Sequence, residues 1–254
     1  MALQDGALEI SGLKKSYGRT RALEDVTLRC RAGTVHALLG ENGTGKSTLV
    51  KVLSGVISPD AGKVSVFGRP LTAGSPAEAL DAGVVAVFQE VFVAPNLTGI
   101  QNLFLGYDGL FAKRMPLARK REMGEATLRK IARVPIDLDQ VVGEMPLIQR
   151  QLIVVARALL RDPAVLILDE STAALDMNSR DALFETIHAL VGNGRLVVFI
   201  THRMDEVEAI SDDISILRAG RNVATMTRSS FDAKEALRIM SPEIASRSAN
   251  GGET

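Results

Sequence analysis

The chain has 254 residues, 46% hydrophobic and 24% charged, which is enough for one large domain or two small ones. Its 30 basic and 30 acidic residues leave no formal net charge, so binding of nucleic acid through bulk charge is not expected. The single cysteine, Cys30, excludes an internal disulfide framework and fits a reducing compartment. No apolar run approaches the ~20 residues of a membrane helix, and no signal-peptide pattern is present. We therefore expect a soluble, cytosolic globular protein.

Short apolar segments alternate along the chain with segments of helical periodicity. The pattern predicts strands at residues 34–39, 63–67, 84–88, 164–168, 196–200 and 213–217, and helices at residues 46–54, 180–190 and 204–210. Several of these strands are apolar at nearly every position, as strands covered on both faces are. The alternation predicts an α/β fold with a largely parallel sheet.

The middle of the chain departs from this alternation. Between about residues 95 and 160 no segment has the pattern of a strand, and residues 99–105, 117–133 and 149–160 have helical periodicity. The segments are separated by Pro95, Pro116, Pro135 and Pro146. We expect a helical insertion within the α/β core. The small polar residues at 246–254 predict a frayed terminus or a linker.

A glycine-rich loop lies between the apolar strand VHALL and the helical run TLVKVL. Its spacing, G-x-x-x-x-G-K-[ST], lets backbone N–H groups surround the β-phosphate of a nucleotide at a helix N-terminus. Lys46 is expected to reach the β- and γ-phosphates, and the Ser47 hydroxyl to bind Mg²⁺. A glycine-rich turn would match this pattern by chance in only about one chain in a hundred of this length. The predicted nucleotide-binding loop comprises Gly40, Glu41, Asn42, Gly43, Thr44, Gly45, Lys46, Ser47 and Thr48.

Two acids, Asp169 and Glu170, end the apolar strand VLILDE. This places them at the carboxyl edge of the sheet, where the sites of α/β proteins form. Asp169 is expected to hold Mg²⁺ through water, and Glu170 to act as the general base for an attacking water. The alternative is a solvated strand end without function.

Polar side chains also follow two other predicted strands. His202 comes after LVVFIT and is the only one of the three histidines at the carboxyl end of a strand, so it is a candidate sensor of the γ-phosphate. Gln89 stands just beyond VVAVF, where it can point at the metal and the water. His36 lies within a strand and His188 within a helix, and for both we predict structural roles in the core or on a helix surface.

Five motifs in order make the chain resemble an ATP-binding cassette ATPase from residue 8 to about residue 240. They are GENGTGKST, VFQE around Gln89, ILDE at 167–170, AALD at 173–176 and ITHRMDEV at 200–207. GENGTGKST, NLFLG at 102–106 and THRMDEVEAISDDISILRAGR resemble more narrowly the bacterial ribose- and galactose-type sugar importers. Within that subfamily the chain is similar to the N-terminal cassette of a tandem protein.

The resemblance implies a P-loop NTPase core with a mixed, mainly parallel sheet, an N-terminal antiparallel β-subdomain and a helical subdomain inserted at about 92–160. One nucleotide-binding domain is then expected over residues 1–245, followed by the tail at 246–254. Tyr17 matches the aromatic residue that stacks on adenine. Gln89 matches the metal-facing loop between core and helical subdomain, His202 the switch histidine, and Asp176 a loop that contacts a second cassette.

In the family two cassettes enclose two ATP molecules with Mg²⁺, and each site uses the phosphate loop of one cassette and the signature sequence of the other. The resemblance therefore implies a second cassette and membrane permease subunits as partners, with a periplasmic sugar-binding protein involved indirectly and no nucleic acid. It also implies a cytoplasmic location, peripheral on the inner face of the membrane through the permease.

The family signature, LSGGQ, is replaced in this chain. Its slot holds Met145, Pro146, Leu147, Ile148 and Gln149. Pro146 has neither a hydroxyl nor an N–H, and Leu147 and Ile148 put side chains where glycines let the backbone approach a phosphate. Since losing one organised donor typically lowers a rate ~10²–10³-fold, the ATP site completed by this segment should be degenerate. The alternative is that the loop relaxes and still holds ATP.

Three functions compete at this stage. The first is the ATPase of a sugar importer with one competent and one degenerate site, whose partner cassette is a separate protein or a second cassette on the same polypeptide. The second is a cassette protein of DNA or the ribosome, for which 254 neutral residues leave little room. The third is a catalytically silent cassette that acts as a nucleotide-dependent structural or regulatory partner. The retained Glu170 argues against the third.

Overall fold

The computed structural model describes residues 6–72, 74–107 and 115–241, so the predicted tail at 246–254 lies outside the described residues. The strands are β1 Leu8–Tyr17, β2 Thr20–Cys30, β3 Val35–Leu39, β4 Ala61–Val66, β5 Arg69–Pro70, β6 Val84–Val87, β7 Val165–Asp169, β8 Leu196–Ile200, β9 Asp213–Arg218 and β10 Arg221–Thr227. The helices are α1 Lys46–Leu53, α2 Pro76–Asp81, α3 Gly99–Leu103, α4 Leu117–Ile131, α5 Leu147–Leu159, α6 Met177–Gly192, α7 Met204–Ile210 and α8 Ala233–Met240. Two 3₁₀ turns complete the elements, at Val142–Glu144 and Arg228–Ser230.

The ten strands form one mixed sheet in the order β5-β4-β1-β2-β10-β9-β3-β8-β7-β6. From β9 to β6 neighbouring strands are parallel, and β1, β2, β4 and β5 pair antiparallel. Every residue of β3, β7 and β8 is buried, because helices cover both faces of the parallel part. The predicted α/β fold, with its parallel core and antiparallel N-terminal strands, is confirmed.

The insertion between β6 and β7 is helical, as predicted. In its described part, residues 95–107 and 115–160, α3, α4 and α5 pack through buried apolar side chains such as Leu103, Ile131 and Leu152. The predicted helix at 149–160 begins two residues earlier, at Leu147. Pro146 supplies a fixed φ, and its carbonyl accepts bonds from the backbone N–H groups of Gln149 and Arg150. The altered signature segment thus forms the first turn of α5.

Helix length and polarity also bear on membrane contact. Within the described ranges, no helix combines the length and the apolar character that crossing a bilayer requires.

The two histidines predicted to be structural have different environments. His36 is fully buried in β3, where its Nε2 lies 2.9 Å from the Ser215 hydroxyl, and His188 is exposed on α6. Burial lowers the pKa of His36 from 6.5 to about 4; Asp213 opposes this shift and Arg31 adds to it. The folded chain therefore holds this imidazole neutral over a pH range in which the unfolded chain protonates it.

We expect the neutral His36 to make the chain acid-sensitive. Because the folded pKa is depressed, its contribution to stability is complete above pH 6.5 and is lost as the pH falls toward 4. Between pH 7 and pH 4 the wild-type free energy of unfolding should fall by about 3 kcal/mol more than that of His36→Gln. Urea denaturation at several pH values measures this, and the exposed-site control His188→Gln should follow the wild type. Parallel curves for wild type and His36→Gln would contradict the prediction.

Candidate functional site

The predicted phosphate loop connects β3 to α1. Lys46, only 6% exposed, folds back so that its Nζ donates to the carbonyl oxygens of Gly40, at 2.7 Å, and Glu41, at 2.8 Å. Helix α1 begins at Lys46, and its N-cap, Gly45, supplies no side-chain hydrogen bond. The first turn of α1 therefore has no side-chain cap, and its positive dipole end is suited to an anion.

Two glycines of the loop are required by close approach to neighbouring strands. Gly45 has φ of 105°, and a Cβ there would lie 2.3 Å from the carbonyl oxygen of Ala22 on β2. A Cβ on Gly40 would lie 2.5 Å from the carbonyl oxygen of Leu217 on β9. Larger residues at either position would push the loop away from the sheet.

The predicted metal acid lies beside this loop. Asp169, at the end of β7, is 3% exposed and is hydrogen-bonded with Ser47. Burial and the neighbouring Glu170 raise the pKa of Asp169 to about 6, against the opposing effects of Lys46 and Ser47. Burial also lowers the pKa of Lys46, although Glu170, Asp169 and Glu41 oppose that shift. The charged groups of the loop and of the strand end therefore influence one another's pKa.

Glu170 contacts two of the other predicted site residues, Gln89 and His202. Its Oε2 accepts a hydrogen bond from Gln89 Nε2 at 3.0 Å, and its Oε1 lies 3.3 Å from His202 Nδ1. The Glu170 side chain is 13% exposed, whereas that of His202 is 62% exposed and able to meet a ligand. Glu170 adopts φ of 47°, and its N–H donates to the carbonyl oxygen of Ile200, which fixes it against the end of β8. Three residues from three different strand ends therefore converge.

The residues present fit a magnesium nucleotide. Among the described residues no group of three or more His, Cys, Asp or Glu side chains is arranged to hold a metal ion by itself. Mg²⁺ is usually held by one or two carboxylates together with phosphate oxygens and water, so Asp169 and Ser47 beside a phosphate loop are a suitable donor set.

The adenine-stacking candidate lies on a strand that neighbours the loop. Tyr17 ends β1 and pairs with Thr20 at the start of β2, the strand that Gly45 contacts. Its side chain is 49% exposed, so a ring face is available. Lys15 Nζ lies 5.8 Å from the centre of the Tyr17 ring.

The signature segment 145–149 and Asp176, which were predicted to contact a second cassette, lie at the starts of helices. Pro146 and Leu147 are exposed at the beginning of α5, whereas Met145 is buried in the core. Gln149 donates to the carbonyl oxygen of Pro135 at 3.0 Å. Asp176 caps α6 by accepting from the N–H of Ser179 at 2.7 Å, and Met177 beside it is 70% exposed.

Sequence reasoning missed a buried carboxylate next to this site. Glu206 on α7 is fully buried and bonded to the hydroxyls of Thr172 and Thr201. A signal was present, because Glu206 stands four residues before the apolar Ile210 and so lies on the buried face of its helix. Acids seldom occupy such positions without a partner.

Comparisons with known proteins identify relatives of this chain. The family described as ABC transporter matches residues 23–173. The ribose import ATP-binding protein RbsA of Yersinia pestis bv. Antiqua (strain Antiqua) is 39% identical over 236 residues, which are 92% of this chain and 46% of that protein. The arabinose import ATP-binding protein AraG 2 of Burkholderia thailandensis is 40% identical over 222 residues, 86% of this chain and 41% of that protein. The chain spans about half the length of these curated relatives.

The fold is also found among solved structures. A dimeric post-hydrolysis structure of the ATP-binding cassette MJ0796, bound to ADP and phosphate, superposes with a TM-score of 0.79 at 21% identity. The match covers 88% of this chain and 100% of that chain. At this identity the likeness shows the shared fold.

Proposed function

Since this chain belongs to the ABC transporter family, we propose that it binds and hydrolyses ATP to power a membrane importer, with a sugar as the transported substrate. The observation that carries the proposal is the convergence of Gln89, Glu170 and His202 beside the phosphate loop. The sugar follows from the ribose and arabinose importers among the relatives.

The loop residues hold the nucleotide in this proposal. The backbone N–H groups of residues 40–48 and the start of α1 bind the phosphates, Lys46 pairs with the β- and γ-phosphates, and Tyr17 stacks on the base. Ser47, Asp169 and Gln89 would hold Mg²⁺. Bound Mg²⁺ would neutralise charge on the phosphate oxygens.

Glu170 is the base in this proposal. It accepts the proton of the attacking water, while Gln89 and His202 fix the direction of its carboxylate from opposite sides. His202 is the exposed member of the three and is placed to contact the γ-phosphate.

The proposal includes one nucleotide-binding domain over residues 1–245 and a location on the inner face of the membrane, held by a permease. Two arginines, Arg157 on α5 and Arg161 just after its end, organise a surface that we propose contacts the permease. Arg157 Nη2 donates to the carbonyl oxygen of Phe92 at 2.7 Å, and Arg161 Nη2 donates to that of Gly106 at 2.6 Å. These bonds fix two loops that expose Phe92 and Leu105. Such exposed apolar side chains suit a partner surface.

A second cassette of different sequence is required in this proposal because the signature segment is altered. Pro146 would meet the partner's nucleotide with a ring instead of a hydroxyl and a backbone N–H, and Leu147 would add an isobutyl group in place of a glycine. We therefore propose asymmetric sites, with hydrolysis at this chain's own phosphate loop and a degenerate site at its signature. The partner cassette is either a separate protein or the continuation of the same polypeptide.

Nucleotide binding by the purified chain tests the core of the proposal. Calorimetry should show that Mg-ATP binds and that ribose does not, because sugar recognition belongs to other subunits of an importer. A chain that binds ribose, or that fails to bind Mg-ATP, would overturn it.

We expect restoration of the signature to change the oligomeric state. The triple replacement Pro146→Ser, Leu147→Gly and Ile148→Gly, made with Glu170→Gln to prevent hydrolysis, should form a dimer in Mg-ATP, whereas Glu170→Gln alone stays monomeric. The restored donors contact the second molecule's phosphates, and solution mass by light scattering measures the change. Adding Lys46→Ala should abolish the dimer. An ATP-dependent dimer of Glu170→Gln alone would instead support a symmetric homodimer.

A further inference from the structure

A buried carboxylate joins two segments next to the proposed site. Glu206 has no exposed surface, and its Oε2 accepts hydrogen bonds from Thr172 Oγ1 at 3.1 Å and from Thr201 Oγ1 at 2.6 Å. Its Oε1 pairs with Arg203 Nη1 at 3.3 Å. Oε2 therefore has two hydrogen-bond donors, which come from two different strand ends, whereas Oε1 accepts no hydrogen bond within the described residues and makes the ion pair with Arg203.

The partners of Glu206 flank the residues that act on ATP in the proposed function. Thr172 follows Glu170 by two residues and belongs to the stretch that leads to Asp176. Thr201 immediately precedes His202, and its Oγ1 also accepts from the Arg203 N–H at 3.1 Å. The hydroxyl of Thr201 thus fixes the turn that carries His202, while Thr172 fixes the turn that follows Glu170.

A second set of contacts joins the same two regions at the surface. Arg180, the fourth residue of α6, lies 3.5 Å from Asp205 on α7, and Arg203 lies 3.1 Å from the same carboxylate. Helix α6 begins at the Asp176 cap. The helices that follow the segments 171–176 and 201–203 are therefore also linked to each other by an ion pair.

If Glu206 served only to fill space in the core, its carboxylate would be an unfavourable choice. A buried carboxylate loses its hydration and is tolerated only when hydrogen bonds and an opposite charge replace it. An apolar side chain of similar volume could fill the same space without that requirement. The carboxylate provides what an apolar group cannot: two directional bonds that fix the two turns relative to each other.

We propose that Glu206 is a positioning residue that couples the partner-facing segment 171–176 to His202. This rests on the proposed function, in which Glu170 and His202 act on ATP. When a second cassette engages Asp176, the displacement passes through Thr172, Glu206 and Thr201 to His202. Hydrolysis at Glu170 then depends on the contact with the other cassette.

The coupling is testable on the chain without hydrolysis. The sequence has only three histidines, so the His202 ring gives a resolved NMR signal, and the exposed Met177 methyl reports on the other segment. Glu206→Gln should shift both signals and leave in place the signal of His36, which is buried within β3. The matched control is Glu208→Gln, the same change at an exposed position of α7, and it should shift neither.

A second pair of variants separates positioning from folding. Thr201→Ser keeps the hydroxyl and should keep the wild-type His202 signal, whereas Thr201→Val should move it. Thr172→Val should shift the His202 signal in the wild-type background but not when Glu206→Gln is also present. If Glu206→Gln fails to fold, the Ser and Val variants at position 201 still carry the test. Absence of the shifts, or a Thr172→Val effect that persists with Glu206→Gln, would overturn the coupling.

Kinetics in the assembly with the partner cassette supply a further readout. Glu206→Gln should lower kcat about tenfold or more, because a displaced catalytic group slows chemistry, while KM for ATP stays within about twofold. An unchanged kcat would refute the positioning role and leave the proposed function intact. A wild-type assembly that does not hydrolyse ATP would refute the proposed function. The NMR shifts, which do not require hydrolysis, would then decide the coupling.

Discussion

Replacement of Glu170 by Gln should leave ATP bound and stop hydrolysis at this chain's own site. The amide keeps the shape of the carboxylate and an oxygen that accepts from Gln89, but it cannot take a proton from water. Removing a general base typically lowers the rate ~10²–10⁴-fold, so we expect kcat at this site to fall at least 100-fold. The dissociation constant for Mg-ATP should change by less than about fivefold, because phosphate binding lies with the loop residues.

Phosphate release from the assembly with the partner cassette measures the first effect, and calorimetry on the isolated chain measures the second. Glu185→Gln provides the matched control, since that carboxylate lies exposed on α6 and is 77% accessible. Continued hydrolysis at this chain's own site in Glu170→Gln would remove Glu170 from the role of base. If the wild-type assembly binds ATP without turnover, the silent regulatory cassette becomes the better description.

The parallel core was the most predictable part of the fold. β8 and α7 lie at the predicted residues, 196–200 and 204–210, and the predicted strand at 34–39 is β3 with one residue fewer. These segments are apolar runs bounded by polar residues, and their burial on two faces leaves a strong local pattern. The phosphate loop was predictable from its spacing. Its glycines are needed at fixed positions because the loop lies so close to β2 and β9 that larger residues would not fit.

Other elements have no such local pattern. β10 alternates between exposed and half-buried residues and is largely polar, so its pairing with β9 and β2, and not its own pattern, makes it a strand. β1 pairs irregularly with β2, with register shifts on both sides of Leu13, and this interrupts a simple alternation. The short helix α2 has one buried residue, Ala79. Each of these three elements forms through its contacts with other elements and not through a pattern of its own.

The candidate site, like the fold, has residues that could be predicted from the sequence and contacts that could not. Gln89, Glu170 and His202 were predictable one by one because each follows a strand, and parallel strands end at one edge of a sheet. The contacts of Glu206 with Thr172 and Thr201 were not predicted, because they depend on how α7 packs against two turns. The start of α5 at Leu147 depends on bonds to the Pro146 carbonyl, which apolar periodicity does not reveal.

Replacement of Lys46 by Ala should abolish tight ATP binding. The ammonium group is buried next to Asp169 and Glu170 and bonds to the carbonyl oxygens of Gly40 and Glu41, so the loop is already curled around it. Hydrogen bonds to charged groups contribute about 1.5–3 kcal/mol each, and the lysine reaches two phosphates. A loss of about 3 kcal/mol corresponds to a dissociation constant more than about 100-fold higher.

Lys51→Ala supplies the matched control, because it removes the same charge from an exposed position on the same helix, α1. Its affinity for Mg-ATP should stay within about threefold of the wild type, since Lys51 is exposed in the last turn of α1 and its charge is screened by salt. Calorimetry measures both constants, and thermal unfolding without nucleotide establishes that each variant is folded. ATP should raise the melting temperature of the wild type and of Lys51→Ala but not that of Lys46→Ala. An unchanged affinity in folded Lys46→Ala would exclude residues 40–48 as the phosphate site. Equal losses in both variants would show that the net charge of α1, and not the geometry at Lys46, determines binding.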